Sequence, residues 1–242
     1  MEVLDRDTES RVFDLVRGVL EGDKSGHDMG HIERVHRLAK RFAGEVDQLV
    51  NTAVVSLGAL LHDVDDYKLV GREQADKLTN AISIMTEAGI DATTQDQVLT
   101  AIKNMGYKKS LRGIRPITLE GMIVSDADLC DAVGANGILR AYRYAIGDIG
   151  SGVVFDQNTW PNVSIGAHEY NSVGDSTHAT DGFINHFFEK MLKVKSFMMT
   201  DPGRAEIERR DKLMIDFLRQ YFHEEDAPEW SEFLDSYLAE RG

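Results

Sequence analysis

The chain has 242 residues, of which 42% are hydrophobic and 28% charged, a globular composition that excludes a disulfide miniprotein and disorder over most of the length. Its 27 Lys+Arg stand against 41 Asp+Glu for a net charge of −14, so nucleic-acid backbones and anionic membranes are excluded as partners. A phosphate-bearing ligand then needs a local gathering of bases or a metal ion.

Cys130 is the single cysteine, which rules out an intrachain disulfide and makes a reducing, cytoplasmic setting the expectation. The opening segment has neither a basic nor an apolar leader region, so no secretory signal is expected. The longest nearly apolar stretch, 53–61, is about half of a membrane span.

Four prolines and apolar residues recurring every three or four positions predict a mostly helical chain. From Gly30 onward, His31, Val35, Leu38 and Phe42 fall at steps of four, three and four, so His31 shares the apolar face of a helix. The next helix is expected from an N-cap at Asp47 through Ala53, Val54, Val55, Leu57, Ala59, Leu60 and Leu61. It is apolar around its circumference and should be the central helix of the domain. At its end stand His62, Asp63, Asp65 and Asp66.

Further helices are expected at 72–88, 94–105, 117–132 and 135–146. Residues 150–181 break the period with Gly150, Gly152, Pro161, Gly166 and Gly174, and read as an irregular loop insertion carrying Trp160, His168, Tyr170 and His178. Closing over a site, this loop would set substrate choice; projecting, it would mediate self-association as a homodimer. Phe183, Phe187, Met191, Val194 and Met198 resume a helical stripe, followed by a helix over 204–222 and a short one ending near Ala239. With no internal repeat, 1–242 is read as a single domain with its core at about 25–222.

A hydrolytic metal centre needs nitrogen and oxygen ligands converging from separate elements, with positions left open for water and substrate. His62 and Asp63, adjacent on a helix, point about 100° apart and grip one ion from two sides. His31 adds a third group from the preceding helix. A fourth comes from the stretch Ser125-Asp126-Ala127-Asp128-Leu129, where carboxylates sit in an otherwise apolar helix and need a cation or several hydrogen bonds. Asp126 and Asp128 are about 200° apart around a helix, so only one of them can face the histidines.

The segments His27-Asp28-Met29-Gly30-His31, Leu61-His62-Asp63 and Ser125-Asp126-Ala127-Asp128-Leu129 together resemble the HD-domain superfamily of metal-dependent phosphohydrolases, whose pattern is H…HD…D. Asn185-His186-Phe187-Phe188-Glu189-Lys190 and the stretches 102–110 and 134–140 are similar to a small bacterial branch of that superfamily. The resemblance implies an all-α HD-domain helical bundle and one divalent metal held by His31, His62, Asp63 and a later aspartate. The family's Ala-Asp-x-Leu context favours Asp128, with Asp126 as the fallback. It also implies that Asp66, three residues after Asp63, accepts a proton from the attacking water. This donor set suits Mn²⁺, Mg²⁺, Fe²⁺, Co²⁺, Ni²⁺ or Zn²⁺, and the family favours Mn²⁺.

Phosphate oxygens call for cations. Between Gln97 and Leu119 lie Lys103, Lys108, Lys109, Arg112 and Arg115 and no acid, a candidate anion funnel in an acidic chain. Lys108 and Lys109 are its central members. His186 and Lys190 share one helical face, Arg140 is a further candidate for the same ligand, and His27 precedes the first ligand helix as a donor to phosphate or leaving group. The expected activity is hydrolysis of a small phosphorylated metabolite, foremost a (deoxy)nucleoside triphosphate or related phosphoanhydride. The competing readings are a phosphomonoesterase or cyclic-nucleotide phosphodiesterase, a diiron oxygenase, and a non-catalytic nucleotide-binding regulator.

Overall fold

The computed structural model describes residues 4–21, 29–147, 150–164 and 182–241, so His27, His168, Tyr170 and His178 lie outside the described residues. The elements in chain order are α1 (Arg6–Leu20), α2 (Met29–Glu45), α3 (Thr52–Leu61), α4 (Tyr67–Val70), α5 (Arg72–Lys77), α6 (Thr79–Glu87) and α7 (Ala92–Ile102). They continue with α8 (Tyr107–Leu111), α9 (Leu119–Asp131), α10 (Gly134–Ile146), α11 (Phe183–Glu189), a 3₁₀ segment (Met191–Phe197), α12 (Asp201–Glu224) and α13 (Pro228–Arg241). Among the described residues there is no strand, in line with the all-α expectation, and no helix is long and apolar enough to cross a membrane.

The contacts divide the chain into two compact units. The first runs to Asp131 and takes in Phe197–Arg204; the second comprises Ala132–Ser196 and the chain from Ala205 onward. In the first unit α3 is the hub, with every residue from Ala53 to Leu61 buried and with α1, α2, α7 and α9 packed around it. The apolar stripe of α2 turns inward as its spacing predicts, burying His31, Val35, Leu38 and Phe42. Gly121 lets α9 lie close to α7, since a Cβ there would stand 2.7 Å from the Ala101 carbonyl oxygen.

Two expected helices differ most in their bounds, and one helix at the start of the chain was not expected. Helix α3 begins at Thr52 with Asn51 as its N-cap, not at Asp47: the Asn51 side chain accepts from the backbone N–H of Ala53 and Val54, at 3.1 and 3.4 Å. The Asn51 N–H is itself tied to Glu120 Oε1 at 3.0 Å, which fixes the turn from outside the local sequence. The expected helix over 72–88 is broken at Leu78, whose φ is +52°. Asp65 accepts from the N–H groups of Asn80 and Ala81, both at 2.8 Å, so a carboxylate from the turn after α3 caps the start of α6. Helix α1, which the sequence reading passed over, is capped by Asp5 and buries Val12, Val16 and Leu20. Its Glu9 accepts from Ser56 Oγ at 2.6 Å and from Lys40 Nζ at 2.8 Å.

In the second unit Phe155, Phe188, Phe222 and Trp230 form an aromatic core. The described part of the irregular segment, 150–164, is laid against it. Trp160 stacks on Trp230 with ring centroids 4.6 Å apart, the Trp230 indole N–H donates to the Gln157 carbonyl, and Asn162 N–H donates to Glu189 Oε1 at 2.8 Å.

Asp126 belongs to the framework. It is fully buried and accepts from Met199 N–H (3.0 Å), Thr200 N–H (2.7 Å) and Thr200 Oγ (2.7 Å), capping the start of α12. Its carboxylate sits where a Cβ on Gly203 would stand. Asp126→Ala strands these donors and is expected to lower stability by about 3 kcal/mol, read by denaturant unfolding in the presence of EDTA. Gly203→Ala should lower it too, by pushing the carboxylate off its donors.

Candidate metal centre

The centre is built by three helices of the first unit. His31 lies in the first turn of α2, His62 closes α3, Asp63 follows it on the turn, and Asp128 projects from α9. The His31 Nε2 atom is 3.2 Å from His62 Nε2, 3.2 Å from Asp63 Oδ2 and 3.5 Å from Asp128 Oδ1. From His62 Nε2, Asp63 Oδ2 is 3.4 Å and Asp128 Oδ1 3.8 Å away. The ligand atoms of His31, His62 and Asp63 all fall within 4.8 Å of one another.

These separations fit one ion. Ligand atoms held about 2.1 Å from a common centre stand about 3.0 Å apart at right angles and about 3.4 Å apart at the tetrahedral angle. The hydrogen bonds on the far side of each imidazole decide what faces inward. His31 Nδ1–H donates to Asp131 Oδ2 at 2.8 Å, and His62 Nδ1–H donates to the Ala59 carbonyl at 2.9 Å. With both Nδ1–H groups committed outward, the two Nε2 atoms face each other across 3.2 Å beside two carboxylates, and that arrangement calls for positive charge between them, a proton or a metal ion. Without an ion, a proton fills that place. Burial by itself would depress the His31 imidazole, but the carboxylates of Asp128, Asp131 and Asp63 carry it well above the usual histidine range. Asp128 is likewise held below the usual carboxylate range, burial being outweighed by His31 and His62.

The two aspartates of α9 are sorted by their helical angle. Asp128 faces the histidines, and Asp126 faces the segment before α12. Asp66 stands on the turn after Asp63, its N–H donating to the Asp63 carbonyl at 3.1 Å, and it directly precedes α4. Its neighbour Asp65 is taken up in capping α6.

Of the expected anion-binding bases, Lys108 on α8 donates from Nζ to Tyr67 Oη at 3.0 Å and lies 5.1 Å from the centroid of that ring. Tyr67 directly follows Asp66 and opens α4, so the Lys108 side chain is tied to the helix that starts beside the acids. Lys109 donates to the Lys103 carbonyl and Arg115 to the Phe197 carbonyl, so both brace the local backbone. Arg140 on α10, His186 on α11 and Lys190 just after it belong to the second unit. There the Lys190 N–H closes α11 on the His186 carbonyl. Burial, and then the Lys190 charge, push the His186 imidazole down to about 3, so it is neutral at physiological pH.

Asp131, Arg34 and Tyr67 escaped the sequence reading. Arg34 follows His31 by three positions and Asp131 follows Asp128 by three, so each shares a helix face with a proposed ligand. That repeated spacing is the signal that would have found them.

Known proteins resemble the chain over most of its length. The HD domain family matches residues 29–133. The protein YpgQ of Bacillus subtilis is 31% identical over 214 residues, covering 88% of this chain and 90% of the relative. Its structure in complex with ADP superposes with a TM-score of 0.64 at 27% identity, covering 90% of this chain and 95% of that one. A protein from Lactobacillus plantarum superposes with a TM-score of 0.73 at 29% identity, over 93% of this chain and 100% of its own. An HD-superfamily hydrolase from Bacillus thuringiensis does so at 0.68 and 29% identity, over 92% and 98%.

The His186 environment sets a pH dependence. The unfolded chain binds a proton at about 6.5 and the folded chain only at about 3, so stability falls as pH drops through this window, by up to about 1.4 kcal/mol per pH unit. His186→Gln should flatten the loss of melting temperature between about pH 6.5 and 4 relative to wild type, measured by calorimetry in EDTA.

Proposed function

Because this chain belongs to the HD-domain superfamily of hydrolases, we propose that it is a metal-dependent phosphohydrolase acting on a small nucleotide, foremost at a phosphoanhydride bond of a (deoxy)nucleoside triphosphate. The observation that carries this reading is the convergence of His31 Nε2, His62 Nε2, Asp63 Oδ2 and Asp128 Oδ1 with separations of 3.2 to 3.8 Å. A nucleotide as ligand is supported by the ADP complex of the related YpgQ.

His31, His62, Asp63 and Asp128 would hold Mn²⁺ or another divalent ion of similar demands. When bound, such an ion lowers the pKa of a coordinated water and polarises a phosphoryl oxygen. The chain supplies the rest. His31 and His62, locked by their Nδ1–H bonds, present lone pairs in a fixed direction. Asp66, on the turn just beyond Asp63, takes up the proton of the attacking water. Lys108, oriented by Tyr67, offers its ammonium to the non-reacting phosphates.

The competing readings draw less support. A phosphodiesterase or diiron centre requires a second set of ligands, and among the described residues one cluster of three or more metal-binding side chains forms, that of His31, His62 and Asp63. His36 is engaged elsewhere, its Nε2–H donating to Ser56 Oγ at 2.7 Å beside Glu9.

With Mn²⁺ present, nucleoside triphosphates should be hydrolysed faster than monophosphates, as read by separate assays for phosphate and pyrophosphate. Asp63→Ala should reduce turnover by at least about 100-fold. Lys108→Ala should raise KM about 10-fold with a smaller change in kcat. Nucleotide binding without turnover, or an undiminished rate in Asp63→Ala, would refute the hydrolase reading.

A further inference from the structure

We infer that Asp131, clamped by Arg34, is a positioning residue that sets the metal affinity of the site through His31. The inference rests on the metal-dependent reading above, and concerns residues that touch neither the ion nor the reacting atoms.

His31 and Asp131 are both buried to 2% exposure. Asp131 Oδ2 lies 2.8 Å from His31 Nδ1. Arg34 holds the same carboxylate with a two-pronged grip, Nε to Oδ1 at 2.7 Å and a terminal nitrogen to Oδ2 at 3.0 Å. Such a fork fixes the plane of the carboxylate as well as its position. The carboxylate then fixes the imidazole ring, keeps the proton on Nδ1, and adds electron density to the Nε2 lone pair aimed at the centre. Arg34 comes from the same turn of α2 as His31, and Asp131 from the same turn of α9 as Asp128. The clamp therefore holds the two helices that deliver one nitrogen and one oxygen ligand at the spacing one ion needs.

The other imidazole is treated differently. His62 Nδ1–H donates to the neutral carbonyl of Ala59 in its own helix, so its tautomer is set locally and without an anion. Of the two nitrogen ligands, His31 is thus the one whose donor strength is adjusted by charge. Without Asp131 its ring is free to place the proton on Nε2, pointing N–H toward His62 Nε2 and removing a lone pair from the centre.

Titration of metal-free protein with Mn²⁺ by calorimetry tests this, with His31 ring ¹⁵N shifts recorded before Mn²⁺ is added, at a pH high enough for the ring to be neutral. Asp131→Asn, which keeps an acceptor but loses the charge, should weaken Mn²⁺ binding about 10- to 100-fold and shift the His31 ring signals toward the Nε2–H tautomer. Arg34→Gln should weaken binding by a smaller factor, and Arg34→Lys should recover part of that loss. If Asp131→Asn fails to fold, the two Arg34 variants carry the test. An Mn²⁺ affinity in Asp131→Asn and Arg34→Gln within about twofold of wild type, with unshifted ring signals, would overturn the inference even if the melting temperature fell. Wild-type protein that takes up no Mn²⁺ would instead overturn the metal-dependent reading, and Asp63→Ala, expected to lose binding, separates the two results.

Discussion

Two imidazole nitrogens, each with its proton committed on the opposite side of the ring, face one another across 3.2 Å beside two carboxylates. This is the constraint on which the rest of the first unit depends. Lone pairs and anions packed at that distance in a buried site repel unless positive charge lies among them. The core that holds them must therefore be rigid enough to keep the repulsive groups together, and specific enough that they meet around one point.

The fold meets both demands with helices packed on a fully buried hub. α3 has no solvated face, so its last residue, His62, is delivered at a fixed height and angle. The stripe of α2 buries His31 among Ile32, Val35 and Ala39, the glycine at 121 lets α9 pack closely on α7, and Asp128 of α9 reaches His31. Each histidine is then locked again by a hydrogen bond behind it: Ala59 for His62, and Asp131, held by Arg34, for His31.

The acidity of the chain takes on a sharper meaning in this light. A net charge of −14 opposes long polyanions, but several acids in the conspicuous motifs are already engaged. Asp65 and Asp126 cap helices that begin far away in sequence, Asp131 answers Arg34, and Asp63 and Asp128 surround the cation position. The bases near the site are sorted in the same way. Lys109 and Arg115 are spent on backbone carbonyls, while Lys108 is tied to Tyr67 at the start of the helix beside the acids.

The sequence by itself determined the helical class, the burial of His31 on the α2 stripe, the all-apolar α3 ending in His62 and Asp63, and the presence of acids in an apolar α9. These are properties of periodicity and of the cost of burying charge, both local and both written in residue order. The tertiary structure alone decided which of Asp126 and Asp128 turns to the histidines, because a 200° separation names two faces but not their neighbours. It decided that α3 starts at Thr52 and that the helix expected over 72–88 breaks at Leu78, because the caps involve Glu120 and Asp65 from distant segments. It also revealed Asp131 and Arg34 behind His31. A hydrogen bond between residues 97 to 100 positions apart depends on how two helices cross, and that angle is set by packing over the whole core.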